Sequence, residues 1–478
     1  MDDTVELNEL DTTDLVTAIA DRSYTCVEVM EHFLDRIESI NPGINAIVSL
    51  RDRNDLIAEA HAADNDPHGG ALHGIPFAIK NLVETAGIRT THGSPIFANH
   101  IPTIDDLLAV RIRNAGAIII GKTNTPEFGL GSQSFNPVHG VTRNPYDPDK
   151  TAGGSSGGAA AALAARLVPL ADGSDMMGSL RNPAAYCNVY GFRPSYGRVP
   201  ADPIGDMYLH QLATDGPMAR SVRDLALLMD VIAVPDERLP QPWLSRRPFT
   251  ERLSGPITGS RIGWIGDWNE YYPVESGILP LCEQALAVFA RMGCVVEPVV
   301  PDFDPARLWQ AWLSLRHFSI ASNLRQHFDN PSERRLLKPE AIYEIENGLA
   351  LSAADVQAAS VIRSEWFRYL VSMFQHYDAL VLPSAQVFPF EAAIHSPTEI
   401  VGRKMQTYHQ WMEIVIPVSL VGLPALGLPV GFGKEGLPMG MQIFGKYGND
   451  MNILQLGEAY HQATRWPQQR PPPVTGTA

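Results

Sequence analysis

The sequence predicts an α/β fold, because short apolar runs typical of buried strands alternate with helical segments. Two strand–helix–strand units carry this prediction, at 76–79, 105–115 and 117–121 and again at 260–265, 279–292 and 294–300. Further on, residues 305–375 are predicted to be mostly helical, strands are expected at 378–383 and 425–430, and a last helix at 457–464. With no internal repeat and no long linker, the chain is expected to form one domain.

Residues 1–65 are predicted to be helical. Thr12 and Thr13 can cap a first helix, and residues 26–40 carry apolar side chains at helical spacing before Asn41-Pro42-Gly43, where we expect the helix to stop. The expected domain spans 1–466, and the proline-rich end, 467–478, is predicted to be a flexible tail.

The composition excludes several classes of function. The net charge of −16 disfavours binding to nucleic acid or to anionic lipid. No apolar stretch is long enough to span a membrane, and the acidic N-terminus lacks the features of a signal peptide. The four cysteines and the histidines show no metal-binding spacing, so we expect no metal and no cofactor, with the cysteines reduced in the cytoplasm.

A glycine-rich loop and a second, serine-containing turn are the candidates for chemistry. The loop reads GGSSGG at 153–158 and leads into an alanine-rich helix, whose N-terminus offers free backbone N–H groups. It lacks the Lys-Ser or Lys-Thr ending of a phosphate loop. The second turn ends in Ser179, outside any G-x-S-x-G elbow, which disfavours a Ser-His-Asp hydrolase.

Several other segments accompany these two. They are LHGIPFAIKNLVETAGIRTTHGS (72–94), IIIGKTNTPEFGLGS (118–132), GGSSGGAAAALAA (153–165), GSDMMGSLRNPAA (173–185), YGFRPSYGRV (190–199), TDGPMARSVRDLALLMDVI (214–232), SLVGLPALGLPVGF (419–432) and GLPMGMQIFGK (436–446). Together they resemble the amidase signature family of amide hydrolases. The resemblance covers most of 71–235, the signature core, and 417–446.

This resemblance implies a fold and a catalytic set. The fold is a large, mixed, twisted β-sheet sandwiched between α-helices. Lys80 is implied as the general base, Ser155 as the proton relay that follows a cis peptide, and Ser179 as the nucleophile. The implied oxyanion hole consists of the backbone N–H groups of Met176, Met177, Gly178 and Ser179.

Physical chemistry supports the same assignment for the lysine. A lysine can act as a base only when it is neutral, and burial lowers its pKa by disfavouring the charged form. Lys80 follows the apolar run Ile75–Ile79, which meets that requirement. The expected reaction is acyl transfer to Ser179 and then to water.

Two positions depart from the family pattern. The family usually has two glycines before the nucleophile, whereas the first is Met177 here, and this side chain is expected to shape the acyl pocket. The lysine is usually followed by aspartate, whereas Asn81 removes a charge beside the base.

The remaining polar residues of the two turns have structural interpretations. Ser156 is expected to cap the following helix, and Ser174 and Asp175 to support the second turn by hydrogen bonds. For Arg181, an internal ion pair is favoured over binding of a substrate carboxylate. For His73, His92, His139 and His210, structural roles are favoured over membership of a Ser-His triad, since no spacing links any of them to Ser179.

Substrate choice is expected to depend on the divergent region of about 300–415 and on Tyr208, His210 and Gln211. The aromatic residues of that region favour an aryl or alkyl amide, and related chains also accept esters and carbamates (urethanes). The expected partner is thus a small-molecule substrate, with the protein a monomer or a homodimer.

Two alternatives remain open. One is the amidase subunit of a glutamine-dependent tRNA amidotransferase. Such subunits typically carry an acid where Pro126 stands, so this residue favours a stand-alone amidase. The other is a non-catalytic binding protein on an amidase scaffold, against which the intact Lys80, Ser155 and Ser179 argue.

Overall fold

The computed structural model describes residues 6–66, 69–209, 211–240, 242–243 and 247–475. Its strands are β1 (Ile47–Val48), β2 (Pro76–Lys80), β3 (Ile118–Thr123), β4 (Phe135–Asn136), β5 (Gly140–Val141), β6 (Arg143–Asn144), β7 (Asp147–Thr151), β8 (Leu170–Asp175), β9 (Tyr190–Arg193), β10 (Thr214–Ala219), β11 (Arg261–Trp264), β12 (Val295–Pro298), β13 (Ala379–Pro383), β14 (Glu399–Ile400), β15 (Arg403–Lys404), β16 (Ala425–Phe432) and β17 (Pro438–Phe444). Eleven of them form one sheet, in the order β1-β3-β2-β8-β10-β9-β16-β17-β13-β11-β12.

Helices flank this sheet. They are α1 (Thr12–Ala20), α2 (Cys26–Ile44), α3 (Arg53–Asp64), α4 (Leu107–Asn114), α5 (Gly157–Ala164), α6 (Arg181–Tyr186), α7 (Val222–Ile232), α8 (Ile278–Arg291), α9 (Pro305–Asp329), α10 (Pro331–Arg334), α11 (Pro339–Ala350), α12 (Ala353–Met373), α13 (Ile416–Ser419), α14 (Asp450–Thr464) and α15 (Trp466–Gln469). The predicted α/β class with a large mixed sheet is confirmed.

The sheet mixes parallel and antiparallel pairs. β2 is parallel to both of its neighbours, β3 and β8, whereas β8, β10, β9, β16 and β17 pair antiparallel in turn. All five residues of β2 are buried, as a continuous apolar run in a parallel strand predicts. Because β2 and β8 are parallel neighbours, the segments that follow them emerge at the same edge of the sheet.

The structure corrects two predicted features of the N-terminal helices. α2 continues through Pro42 to Ile44, and Asn45, with a left-handed φ of 57°, ends it. The N-terminus of α1 is capped by the carboxylate of Asp224, which accepts the backbone N–H groups of Thr12 and Thr13 at 2.8 and 3.0 Å.

The beginning of the segment predicted as a flexible tail is packed against the body of the protein. Residues 466–469 form α15, and the Asn188 side-chain amide donates to the backbone carbonyls of Trp466 and Arg470. The Arg470 guanidinium lies 3.7 Å from the ring centroid of Phe432. Pro467, the first residue of the predicted tail, is buried, so its apolar ring contributes to packing.

Candidate active site

Lys80 is the last residue of β2 and its side chain is almost completely buried, with 1% exposure. Its Nζ atom donates hydrogen bonds to three serine hydroxyls, at 2.9 Å to Ser155, 2.8 Å to Ser156 and 2.9 Å to Ser174. These three oxygens match the three donors of an ammonium group. A neutral amine has only two donors and one lone pair, so deprotonation turns Nζ into an acceptor for one of these hydroxyls.

The surroundings of Lys80 favour the neutral form. Burial lowers the pKa of its amine to about 8, and the opposing effect of the carboxylates of Asp172, Asp215 and Asp175 only partly offsets it. A lysine with such a pKa is partly deprotonated near neutrality, which is the condition for a general base.

Asn81, the predicted modifier of the lysine, does not act on it directly. Its Nδ2 donates a hydrogen bond to Oγ1 of Thr91 at 2.7 Å. Its Oδ1 accepts a hydrogen bond from the backbone N–H of Thr91 at 3.0 Å. Asn81 therefore fixes the segment after β2 and contributes no charge beside the amine.

Ser155 lies in the glycine-rich loop, directly after a cis peptide bond between Gly154 and Ser155. The loop is close to its neighbours: a Cβ atom at Gly158 would lie 2.2 Å from the backbone N of Asn124, and one at Gly154 would lie 2.9 Å from the backbone N of Gln133. Glycine is required at these positions because backbone atoms occupy the space that a side chain needs.

Ser156 was predicted to cap α5, but it does not. It is the residue before α5, but its hydroxyl makes no capping bond and instead accepts from Lys80. The amide of Gly157, the first helical residue, donates to the hydroxyl of Ser134 at 3.0 Å. A side chain from another segment thus takes the capping role and leaves Ser156 available for the amine.

The second turn is held by Asp175, the last residue of β8. Its carboxylate accepts two hydrogen bonds from Arg181, at 2.9 and 3.0 Å, and one from Arg193 at 3.2 Å. It also accepts the backbone N–H groups of Gly178 and Leu180. The prediction of an internal ion pair for Arg181 and of a turn-supporting role for Asp175 is confirmed.

The ion cluster keeps Asp175 charged. Burial alone would raise the pKa of this carboxyl, but Arg181 and Arg193 outweigh that effect and hold the pKa well below its usual range. A permanently ionised Asp175 fixes the turn in which Ser179 lies.

Ser179 lines a cavity of about 140 Å³, together with Ser155 and Ser174. The backbone N–H of Ser156 also donates to the carbonyl of Ser179, at 3.3 Å, which joins the two turns. The structure thus brings together Lys80, Ser155 and the turn of Ser179, although the two serines follow the lysine by 75 and 99 residues in the chain. The side chain of Met177, the predicted pocket-shaping residue, lies in the wall of the same cavity.

The four backbone amides predicted as oxyanion donors are not equivalent. That of Gly178 already donates to Asp175 Oδ1 at 2.9 Å, because this carboxylate closes the turn. Hydrogen bonds from the amides of Met176, Met177 and Ser179 to an acceptor are not found in the parts of the chain that the structure describes. These three remain available to a ligand.

The predicted substrate-binding residues lie elsewhere. Tyr208 is 66% exposed, and the Gln211 side chain donates to the Tyr208 carbonyl at 3.2 Å. Neither residue lines the cavity of Ser179. Ala213, two positions after Gln211, does line it. His210 lies outside the described residues.

Two residues of the cavity were missed by the sequence analysis, Arg316 of α9 and His409. Both fall within 300–415, where substrate-shaping residues were expected, but neither belongs to a motif. Of the histidines considered, His92 binds Glu84 at 2.7 Å and His139 lies 3.1 Å from the hydroxyl of Thr91. Neither contacts the serines of the site, in agreement with their structural interpretation.

Comparison with known proteins identifies the family to which this chain belongs. The Amidase family matches residues 28–454. The chain belongs to the amidase signature family. Membership makes it a hydrolase of carbon–nitrogen bonds in amides.

Relatives of this amidase cover nearly its whole length. It is 37% identical to one of the subunits of the glutamyl-tRNA(Gln) amidotransferase of Thermus thermophilus, over 92% of this chain and 94% of that protein. It is 30% identical to an acylamidase of Rhodococcus erythropolis, over 97% and 98%. The structure of a bacterial aryl acylamidase of the amidase signature family matches with a TM-score of 0.89 and 27% identity, over 97% and 99%.

None of the amidase's described helices is both long and apolar enough to cross a membrane.

Proposed function

We propose that this chain is a stand-alone amidase that hydrolyses a carboxylic amide through an acyl-enzyme on Ser179. The observation that carries the proposal is the 2.9 Å contact between Lys80 Nζ and Ser155 Oγ, since Ser155 and Ser179 line the same cavity. The substrate is an aryl or alkyl amide, and the same acyl-enzyme chemistry extends to esters and carbamates.

The proposed first half-reaction forms the acyl-enzyme. Ser179 Oγ attacks the carbonyl carbon while its proton passes to Ser155 Oγ, whose own proton passes to neutral Lys80. The negative oxygen of the tetrahedral intermediate is stabilised by the free amides of the second turn. The C–N bond then breaks, and the leaving nitrogen takes a proton from Ser155, which regains one from Lys80.

The second half-reaction returns the enzyme to its starting state. A water molecule gives a proton to the same relay and attacks the acyl-enzyme carbonyl. The C–O bond to Ser179 breaks, Ser179 recovers its proton, and the carboxylic acid leaves. Ser156 and Ser174 hold the amine of Lys80 throughout, because their hydroxyls accept two of its hydrogen bonds.

The experiment compares wild type with Ser179→Ala on a 4-nitroanilide and on an activated aryl ester. We expect the variant to lose about 10⁴-fold or more of kcat, as expected for removal of a nucleophile. Ser322→Ala, an exposed position on α9, is the matched control and retains full activity. Equal activity of wild type and Ser179→Ala would refute the proposal.

The tRNA amidotransferase subunit is the second candidate, because a relative with that function is 37% identical. Against it, the described residues that line the cavity of Ser179 include no acidic side chain to match the ammonium group of glutamine. The charged residue among them, Arg316, is already paired with Glu344. Glutaminase activity that appears only when amidotransferase partner subunits are added would favour this second candidate.

For the setting of the enzyme we propose the cytoplasm, with small molecules as substrates and a monomeric or homodimeric state. All four cysteines are buried and free, as expected for a reducing compartment. Size-exclusion chromatography with light scattering distinguishes the two oligomeric states.

A further inference from the structure

The cavity beside Ser179 is lined by both apolar and polar side chains. The apolar ones are those of Leu82, Phe128, Leu130, Met176, Met177 and Ile320. Apart from the serines, the polar side chains that line the cavity are Arg316 and His409. No step of the proposed mechanism uses either of them, although both lie in the space that the acyl group enters.

His409 is 2% exposed, and neither of its ring nitrogens has a hydrogen-bond partner in the described parts of the chain. Its ring packs against Trp309 and Tyr408, with centroid distances of 5.3 and 4.5 Å. Burial, together with the nearby Arg316, lowers its pKa to about 3, so that the imidazole is neutral at pH 7. A neutral imidazole has one donor and one acceptor, and buried polar groups in proteins are rarely left unpaired.

Arg316 retains a donor in spite of its ion pair. Its Nε binds Glu344 at 2.6 Å and its Nη2 binds Tyr408 at 2.9 Å. Among the described residues, the partner found for Nη1 is the sulfur of Met176, at 3.3 Å, and a thioether is a weak acceptor. Nη1 can therefore donate to a better acceptor in the cavity.

The charge of Arg316 is already balanced by Glu344. Arg316 and Glu344 are both buried, and His317 Nδ1 lies 2.6 Å from the second oxygen of Glu344. A substrate carboxylate here would add an uncompensated buried charge, which is costly. An apolar group would leave both nitrogens of His409 unpaired. The chemistry that fits is a neutral group with both a carbonyl oxygen and an N–H.

Resting on the amidase function proposed above, we infer that Arg316 and His409 bind a second, neutral amide-like group at the far end of the acyl chain. The carbonyl oxygen of this group accepts from Arg316 or His409, and its N–H donates to the remaining nitrogen of His409. The preferred substrates are thus amides whose acyl part ends in a carboxamide.

Three 4-nitroanilides of similar shape test this inference. Their acyl groups are succinamoyl, which ends in a carboxamide, 4-methylpentanoyl, its apolar isostere, and succinyl, its anionic counterpart. For wild type we expect kcat/KM for the succinamoyl compound to exceed that of the other two by about tenfold to a hundredfold, chiefly through KM, as two buried hydrogen bonds require.

His409→Phe tests the residue. It removes both nitrogens without depriving any described residue of a partner, so the fold is retained, as the melting temperature will report. We expect the succinamoyl preference to fall sharply, because the substrate N–H loses its acceptor, and kcat/KM for the 4-methylpentanoyl compound to rise, because the pocket becomes less polar. His409→Leu repeats the test with a smaller side chain, and His409→Gln, which keeps a donor and an acceptor, restores part of the preference.

The matched control is His461→Phe. His461 is also 2% exposed but lies in α14, with its Nδ1 3.2 Å from the hydroxyl of Tyr190, and it does not line the cavity. This variant should keep the wild-type preference.

The outcomes separate the two proposals. Hydrolysis of all three compounds without a succinamoyl preference, a preference for succinyl, or a preference that survives undiminished in His409→Phe and His409→Leu would overturn the inference and leave the amidase function standing. Failure of wild type to hydrolyse any of the three would count against the proposed function itself, and the inference would fall with it.

Discussion

The backbone N–H of Lys80 donates a hydrogen bond to Oδ1 of Asp172 at 2.9 Å. The buried carboxyl group of Asp172 therefore lies beside β2, the strand that ends at Lys80. The other oxygen of Asp172 has no hydrogen-bond partner within the described residues. Burial raises the pKa of this carboxyl to about 7, close to the value of about 8 for Lys80. The two groups therefore change charge in the same pH range, and each affects the other.

The wild-type pH profile follows from the lowered pKa of Lys80. At pH 6 the amine holds its proton and cannot accept one from Ser155, whereas above pH 8 it is neutral. We expect kcat/KM on a 4-nitroanilide to rise with pH through a midpoint near 8 and then to level off. A rate that does not vary between pH 6 and 9 would contradict the role of Lys80.

Asp172→Asn should shift this midpoint to lower pH. The negative charge of Asp172 favours the protonated lysine, so its removal lowers the pKa of Lys80 further. The asparagine keeps an oxygen for the backbone N–H of Lys80. The pH profile of kcat/KM measures the shift, and a midpoint that stays in place or rises would disprove the electrostatic coupling.

Asp175→Asn should destabilise the protein. It leaves Arg181 and Arg193, both fully buried, without their counter-charge. Loss of one partner of a buried ion cluster costs about 3–5 kcal/mol, which urea denaturation can detect. The matched control is Asp329→Asn, whose exposed pair with Arg325 should contribute less than about 1 kcal/mol. Equal effects of the two substitutions would argue against the proposed role of Asp175.

Gly158→Ala should impair both folding and activity. The added Cβ would meet backbone atoms of Asn124 at 2.2 and 2.6 Å and the carbonyl of Ala46 at 2.7 Å. The loop must shift, and a displacement of Ser155 by about 1 Å is expected to lower kcat/KM about a hundredfold. Gly43→Ala, where nothing lies within 4 Å of the new methyl group, is the control and should leave kcat/KM unchanged.

The sequence predicted β2 and β3 beside the site, because buried parallel strands leave a simple pattern, whereas β8, β9 and β10 were not predicted as strands. The apolar run ending in Lys80 indicated both β2 and the burial of its amine. An internal ion pair for Arg181 was also predicted, and the structure shows that Asp175, six positions earlier, is its partner. In these cases the residues that determine the feature lie within a few positions of one another in the sequence.

Features that depend on distant segments were missed. Ser156 was expected to cap α5, but that role falls to Ser134, which is 23 residues away in the chain. Arg316 and His409 come close to the turns of Ser155 and Ser179 only in the folded protein. Around Arg316, the spacing of apolar residues in α9 is that of any half-buried helix. Spacing in the sequence contains no information on such contacts.

The most direct test of the account is to identify the residue that becomes acylated. Wild type mixed rapidly with an activated aryl ester and quenched in acid should gain one acyl group per chain, which peptide mass spectrometry should locate on Ser179. The adduct should be absent in Ser179→Ala. Lys80→Met should form it far more slowly, because the relay then lacks its base. Acylation of another residue, or hydrolysis without any adduct at Ser179, would contradict the central claim.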